Sequence, residues 1–169
     1  MADLIARIAR GALAGTIGTL AMDVLWWSRY RRSGGEDSFT DWEFATSTTS
    51  FDEASAPGQV GKRIAGLVGI DLPDAAASPT TNAVHWLTGA GYGAAHALLH
   101  QDGDHPLLRG AATGAGAFTN SYAAMGAMGI YQPIWEYDAG TLAKDLSAHL
   151  LFGIATGLAH AALTTSGGD

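Results

Sequence analysis

The chain is expected to fold as an all-α integral membrane protein, a four-helix bundle made of two repeated helical hairpins with a short interfacial amphipathic helix. Three observations lead there. Four stretches, about 11–28, 83–100, 110–131 and 146–164, are nearly free of charge, and each approaches the ~17–25 residues that cross a hydrocarbon core. Each stretch carries a Gly-xxx-Gly pair: Gly11/Gly15, Gly89/Gly93, Gly110/Gly114 and Gly153/Gly157. In a water-soluble helix every such glycine would cost about 1 kcal/mol relative to alanine, whereas between membrane helices small residues let backbones approach closely. Finally, the segment 85–99 returns 64 residues later as 149–163, with eight of fifteen positions identical, among them both histidines and both glycines.

Composition narrows the partners. The 169 residues are 47% hydrophobic and 15% charged, and the modest mean hydropathy of +0.11 reflects a polar connection of some fifty residues that dilutes the apolar stretches. A net charge of −7 with no basic stripe to neutralise phosphates argues against nucleic acid as a partner. There is no cysteine, hence no disulfide framework, thiolate catalysis or cysteine-ligated metal. Nucleophile-elbow, phosphate-loop and His-Glu-x-x-His signatures are absent too, so nothing marks a hydrolase, a kinase or a nucleotide-binding enzyme. The competing reading of the composition is a soluble bundle rich in Gly and Ala.

Taken in order, the chain divides into spans at about 8–28, 83–100, 110–131 and 145–164, all in one membrane domain of residues 1–169, with a polar loop and amphipathic helix over 29–82. A short lead-in carries Asp3 near its N-terminus, where the helix dipole favours it. The apolar run that follows outlasts a signal h-region, ends in Trp26-Trp27-Ser28-Arg29 and reads as a retained first helix. Its ionisable group, Asp23, is expected to snorkel to the interface and pair with Arg29 or Arg31, with a role inside the bundle as the alternative. Residues 33–57 read as an exposed acidic loop, although Phe39, Trp42, Phe44 and Phe51 suggest a segment that folds back onto the membrane surface or a partner. Val60, Ile64, Leu67 and Val68 then recur at helical spacing, with Lys62 and Arg63 off the stripe.

The second connection, 101–106, reads as a tight polar turn that would make helices two and three antiparallel neighbours. Helix three opens Arg109-Gly110-Ala-Ala-Thr-Gly114, echoing Arg10-Gly11-Ala-Leu-Ala-Gly15. The duplicated unit is therefore a hairpin, and the two even-numbered helices run in the same direction. Thr119, Asn120, Ser121 and Tyr122 form a polar cluster within helix three that must face the bundle or another subunit, and Pro133 is expected to end that helix. The Ser-Gly-Gly-Asp tail at 166–169 reads as frayed.

Over roughly residues 57–153 this order of parts resembles the YagU-like family of small four-helix bacterial inner-membrane proteins. The shared layout is an amphipathic Pro-x-x-Val…Arg…Gly segment, a helix-opening His85, Met-Gly at the end of helix three, Pro133-x-Trp135-Glu136 and the His149-Leu opening of helix four. The resemblance implies a place in the inner membrane and an association with acid stress. His96 and His160 lie outside the family pattern.

Residues eleven apart on a helix differ by about 20° in azimuth and roughly 16 Å in height, so each repeat stacks two histidines on one face. Parallel even helices would put His85 level with His149, and His96 level with His160. Three functions compete for this arrangement. Two levels of facing imidazoles could ligate two b-type haems for transmembrane electron transfer, with Gly89 and Gly153 making room for the flat macrocycles. Alternatively, Asp23, Tyr92, Asn120, Tyr122, Asp145 and Thr156 with the histidines would line a proton or cation path, and the imidazoles with Asp145 could hold a divalent metal. Lastly, the histidines could simply hydrogen-bond across helices in an accessory subunit that grips a homo-oligomer or a larger membrane complex with its glycine faces. The expected location is the bacterial cytoplasmic membrane. Arg29, Arg31 and Arg32 outweigh Arg7, Arg10 and Arg109 in pulling the long loop to the cytoplasm.

Overall fold

The computed structural model describes residues 1–100 and 105–165, and these are all-helical, with no strand among them. Most of the turn expected at 101–106, and the tail expected at 166–169, lie outside the described residues. The long first helix, α1 (Ala2–Arg32), extends past the expected span at both ends, since nothing in 2–32 breaks a helix. Asp3 in its first turn and Arg29, Arg31 and Arg32 in its last suit the helix dipole. A single turn, α2 (Phe39–Glu43), is started by Ser38, whose hydroxyl accepts from the Asp41 amide. Then come α3 (Ala56–Leu67), α4 (Ala77–Leu99), α5 (Pro106–Ala127) and α6 (Ala139–Thr165).

Two boundaries move for identifiable reasons. Helix α5 stops at Ala127 rather than near 131 because Gly129 takes a left-handed φ of 64° and the Ile130 amide turns back to the Met125 carbonyl. Glycine, not Pro133, ends it. Helix α6 starts six residues before the expected 145, because the Asp138 carboxylate accepts from the backbone amide and the hydroxyl of Thr141 and caps the first turn.

Of the four expected spans, α1 and α6 are long and apolar enough to cross a membrane. With 23 and 22 residues, α4 and α5 have the length, but their glycines, threonines, histidines and asparagines dilute their hydropathy.

The glycines build two antiparallel hairpins, α1 with α4 and α5 with α6. Gly93 lies against the backbone of Gly11 and Gly15, and Gly153 against that of Gly110 and Gly114, so closely that a Cβ at either would collide with backbone atoms. The repeat is therefore reproduced in space, with one change. Gly153 corresponds in sequence to Gly89, one helical turn from Gly93, so the second hairpin has slipped by about 6 Å relative to the first.

A third antiparallel contact joins the hairpins. Gly18 of α1 receives Thr156 and Phe152 of α6, and lower down Arg29 donates to the Lys144 carbonyl and the Ser147 hydroxyl. The repeat would match this contact with one between α4 and α5. Those helices instead meet only sparsely, which corrects the expectation that they are close antiparallel neighbours. A cleft replaces the missing contact.

The distribution of size across the bundle is inverted relative to a water-soluble protein. Most buried positions in the helices are Gly, Ala and Thr, including Ala14, Ala97, Ala117, Ala148, Thr19 and Thr156, with Asp23, Val60, His96, Tyr122, Phe152 and His160 as the exceptions. Large apolar side chains point outward: Leu13, Ile17, Leu20 and Val24 form an exposed stripe along α1, and Leu87, Leu108 and Leu158 are exposed on the other helices.

The long connection is ordered against the bundle. Phe39 packs edge-on to Trp27 and Trp42 stacks near Tyr30, so the aromatic loop folds back on its own helix. Phe51, Ala54 and Ala77 form a small core beneath it. Helix α3 packs on α4 through Gly58 against Thr81 and Gly61 against Thr80 and Val84, and Arg63 reaches the Met128 carbonyl at the end of α5. Of the stripe read from the sequence Val60 is buried, whereas Ile64, Leu67 and Val68 are exposed.

Candidate functional site

The cleft between α4 and α5 widens at one end into a cavity of about 550 Å³. Asp23 and His85 contribute one wall, Tyr92 and Ser121 the middle, and Asp145 and His149 the other wall, while Trp42 and Glu43 of the loop reach in from the end. The polar residues of the sequence reading are thereby sorted into couples that bridge different helices.

Asp23 does not snorkel. It is 3% exposed, and its Oδ2 lies 2.9 Å from His85 Nε2, the one salt bridge among the described residues. Its expected partners are engaged elsewhere. Arg29 stacks on Trp26 while bonding to α6, and Arg31 bonds to the Glu36 carbonyl. The correction has a steric origin: one turn before Asp23, Thr19 nests in the notch left by Gly89, and this close packing of α1 on α4 carries Asp23 inward to His85.

Asn120 Nδ2 donates to Tyr92 Oη at 2.6 Å across the cleft, and Tyr122 Oη donates to Asp145 Oδ2 at 2.7 Å between α5 and α6. His149 points Nδ1 at the Asp145 carbonyl of its own helix, 2.9 Å away, and lies edge-on to Phe118. Thr156 belongs elsewhere. Fully buried, it donates to the Phe152 carbonyl and fills the α1–α6 contact rather than lining the cleft.

His96 and His160 do meet at one level, as parallel even helices require, with ring centroids 5.5 Å apart. His96 Nδ1 is 2.7 Å from the Thr113 hydroxyl, which itself bonds to the Arg109 carbonyl. The rings touch edge to face, so no macrocycle fits between them. At the other level, Nε2 of His85 is held by Asp23 rather than turned to His149. The glycines leave no space either: a Cβ at Gly89 would strike Thr19, and one at Gly153 the backbone of Gly110 and Gly114. The residues read as haem ligands and haem clearance thus do not fit a haem. Nor are the glycine faces outward grips for a partner, since all four Gly-xxx-Gly pairs are buried within the chain's own hairpins.

Glu43 was missed by the sequence reading, which left it in an exposed acidic loop. The neighbouring Phe39 and Trp42 hold the signal, because a loop that folds those aromatics back on α1 also carries the acid beside them inward. Its carboxylate joins Asp23 and His85, with donor atoms of all three residues within 4.8 Å of one another. Burial, and then the charge of Asp23, push its pKa up to about 7, against the opposing pull of His85.

These features define an all-helical protein with an inverted apolar surface and a cleft of paired acids, imidazoles and phenols. No protein-family model, curated protein or solved structure matches the chain, so the site is read from its own geometry.

Proposed function

We propose that the chain is a four-span protein of the bacterial cytoplasmic membrane whose cleft passes protons or small cations. The bilayer reading is supported by the inverted surface. A lipid-facing helix gains nothing by hiding its leucines, whereas it gains close van der Waals contact by turning glycines inward. By the same reasoning α4 and α5, short of hydropathy on their own, cross beside α1 and α6, with their polar groups turned into the cleft.

One observation carries the function: three bridging couples, Asp23–His85, Tyr92–Asn120 and Tyr122–Asp145, each put at least one member on the wall of a single cavity, which Asp23, His85, Tyr92 and Asp145 line. Ionisable groups at membrane depth are costly and face a bundle interior or an aqueous path. Carboxylates and imidazole can exchange protons with water, and phenol and amide groups can orient it. An accessory subunit that gripped a partner through its Gly-xxx-Gly pairs would need those pairs facing outward, and all four are buried in the chain's own hairpins.

Reconstitution into liposomes containing a pH-sensitive dye tests the reading. With a potassium diffusion potential imposed, the protein should admit protons faster than protein-free liposomes, and Asp23→Asn or Asp145→Asn should return the rate to the protein-free level. A wild-type protein that carries neither protons nor sodium nor potassium across the bilayer would sink it.

A further inference from the structure

On the wall of the cavity, three side chains converge from three separate elements: Asp23 from α1, Glu43 from α2 and His85 from α4. Their donor atoms lie within 4.8 Å of one another. Bonds of about 2.0–2.2 Å to one ion place its ligands up to roughly 4 Å apart, so the cluster needs only a slight contraction to share an ion. Two further observations show that this grouping lacks something. Glu43 Oε1 is buried with no hydrogen-bond donor, although a carboxylate oxygen can only accept. Asp23 is itself almost fully buried, and His85, with Nε2 2.9 Å from its Oδ2, is the one basic side chain in the grouping. Two carboxylates therefore share one imidazole, and the adjoining cavity gives access to the open side.

We propose that Asp23, Glu43 and His85 form a binding site for a divalent transition-metal ion of the zinc or manganese type, with remaining coordination positions open to the cavity. Two carboxylate oxygens and one imidazole nitrogen match that class: magnesium and calcium take oxygen ligands, and soft copper(I) prefers sulfur. A dication would supply the missing partner for Glu43 Oε1 and offset both acids. It would also fasten the loop helix α2 across the end of the bundle. The site is independent of whether the cleft passes ions, since binding without transport would still tie α2 to α1 and α4.

The test uses the untagged full-length protein in detergent, stripped with chelator and desalted, then titrated calorimetrically with zinc and with manganese ions alone. One saturable site per chain is expected. Glu43→Gln, whose side chain sits on the loop rather than between helices, should weaken it at least about tenfold with an unchanged circular dichroism spectrum; His85→Gln should do the same. His96→Gln, in the distant histidine pair, should bind like wild type. X-ray absorption of the zinc-loaded protein should show oxygen and one imidazole nitrogen as ligands. No saturable binding of either ion, wild-type affinity in Glu43→Gln, or a loss that follows His96→Gln instead would each overturn the proposal. A flux failure in liposomes with intact metal binding would count only against the transport reading.

Discussion

Thr156 fills the notch that Gly18 leaves in α1, its hydroxyl the atom nearest to where a Cβ at position 18 would stand, with the Phe152 carbonyl oxygen 2.6 Å from the same point. Thr156 is fully buried there. Gly18→Ala should gain about 1 kcal/mol of helix propensity but lose about 1–3 kcal/mol to overpacking against a backbone carbonyl that cannot yield. Net destabilisation is expected. Gly116→Ala in α5 meets nothing within 4 Å and should stabilise by up to ~1 kcal/mol. Thermal unfolding of both variants in one detergent checks the sign, and an equal rise in the two would refute the packing described.

The buried Tyr122 hydroxyl is the cross-helix donor to Asp145. Tyr122→Phe leaves that carboxylate oxygen short of a donor at a cost of about 1–3 kcal/mol. Asp145→Asn, which keeps an acceptor oxygen, should cost less. Denaturation of the two variants side by side gives the order, and the reverse order would show that the bond is not what holds α5 on α6.

Arg7 reaches across to the end of α4, donating from Nε to the Ala97 carbonyl and from Nη2 to the His100 carbonyl. Carbonyls in the last turn of a helix have no partner of their own, and a cation there also suits the dipole. Arg7→Met keeps the apolar stem and should cost about 1–2 kcal/mol. Faster amide exchange confined to the last turns of α4 is the expected signature; unchanged protection there would mean the contact adds nothing.

Asp138 caps α6 through the hydroxyl and amide of Thr141, which hold its pKa below the ordinary value of 3.8. A depressed carboxylate contributes stability in full above its unfolded pKa, and loses it as the pH falls through the folded value. The wild type should therefore lose stability more steeply than Asp138→Asn once the pH drops below about 4. Unfolding midpoints across an acid series measure this, and parallel curves would count against the cap.

Much of the architecture was legible in the chain. The 64-residue echo gave the hairpins, the glycine pairs gave their contact faces, and the parallel even helices brought His96 beside His160. Less of the site could be read. Asp23 and His85 are 62 residues apart on separate helices; Asp23 has plausible partners nearer in sequence in Arg29 and Arg31, and the repeat sets His85 opposite His149. Glu43 lay in a loop whose return path depends on Phe39 and Trp42 finding Trp27 and Tyr30.

What the sequence by itself determined is the helical duplication and the use of glycine to bring helices together, since a missing Cβ and a repeated spacing are local properties of the chain. Only the tertiary structure decided that the second hairpin slips by one turn, that α1 packs on α6 while α4 and α5 part, and that Asp23, His85 and Glu43 meet in the resulting cavity. The reason is physical. In helices this rich in Gly and Ala the inward and outward faces are both apolar, so hydrophobic periodicity does not label which face meets which neighbour. Close packing of backbones does, and it depends on all the helices at once.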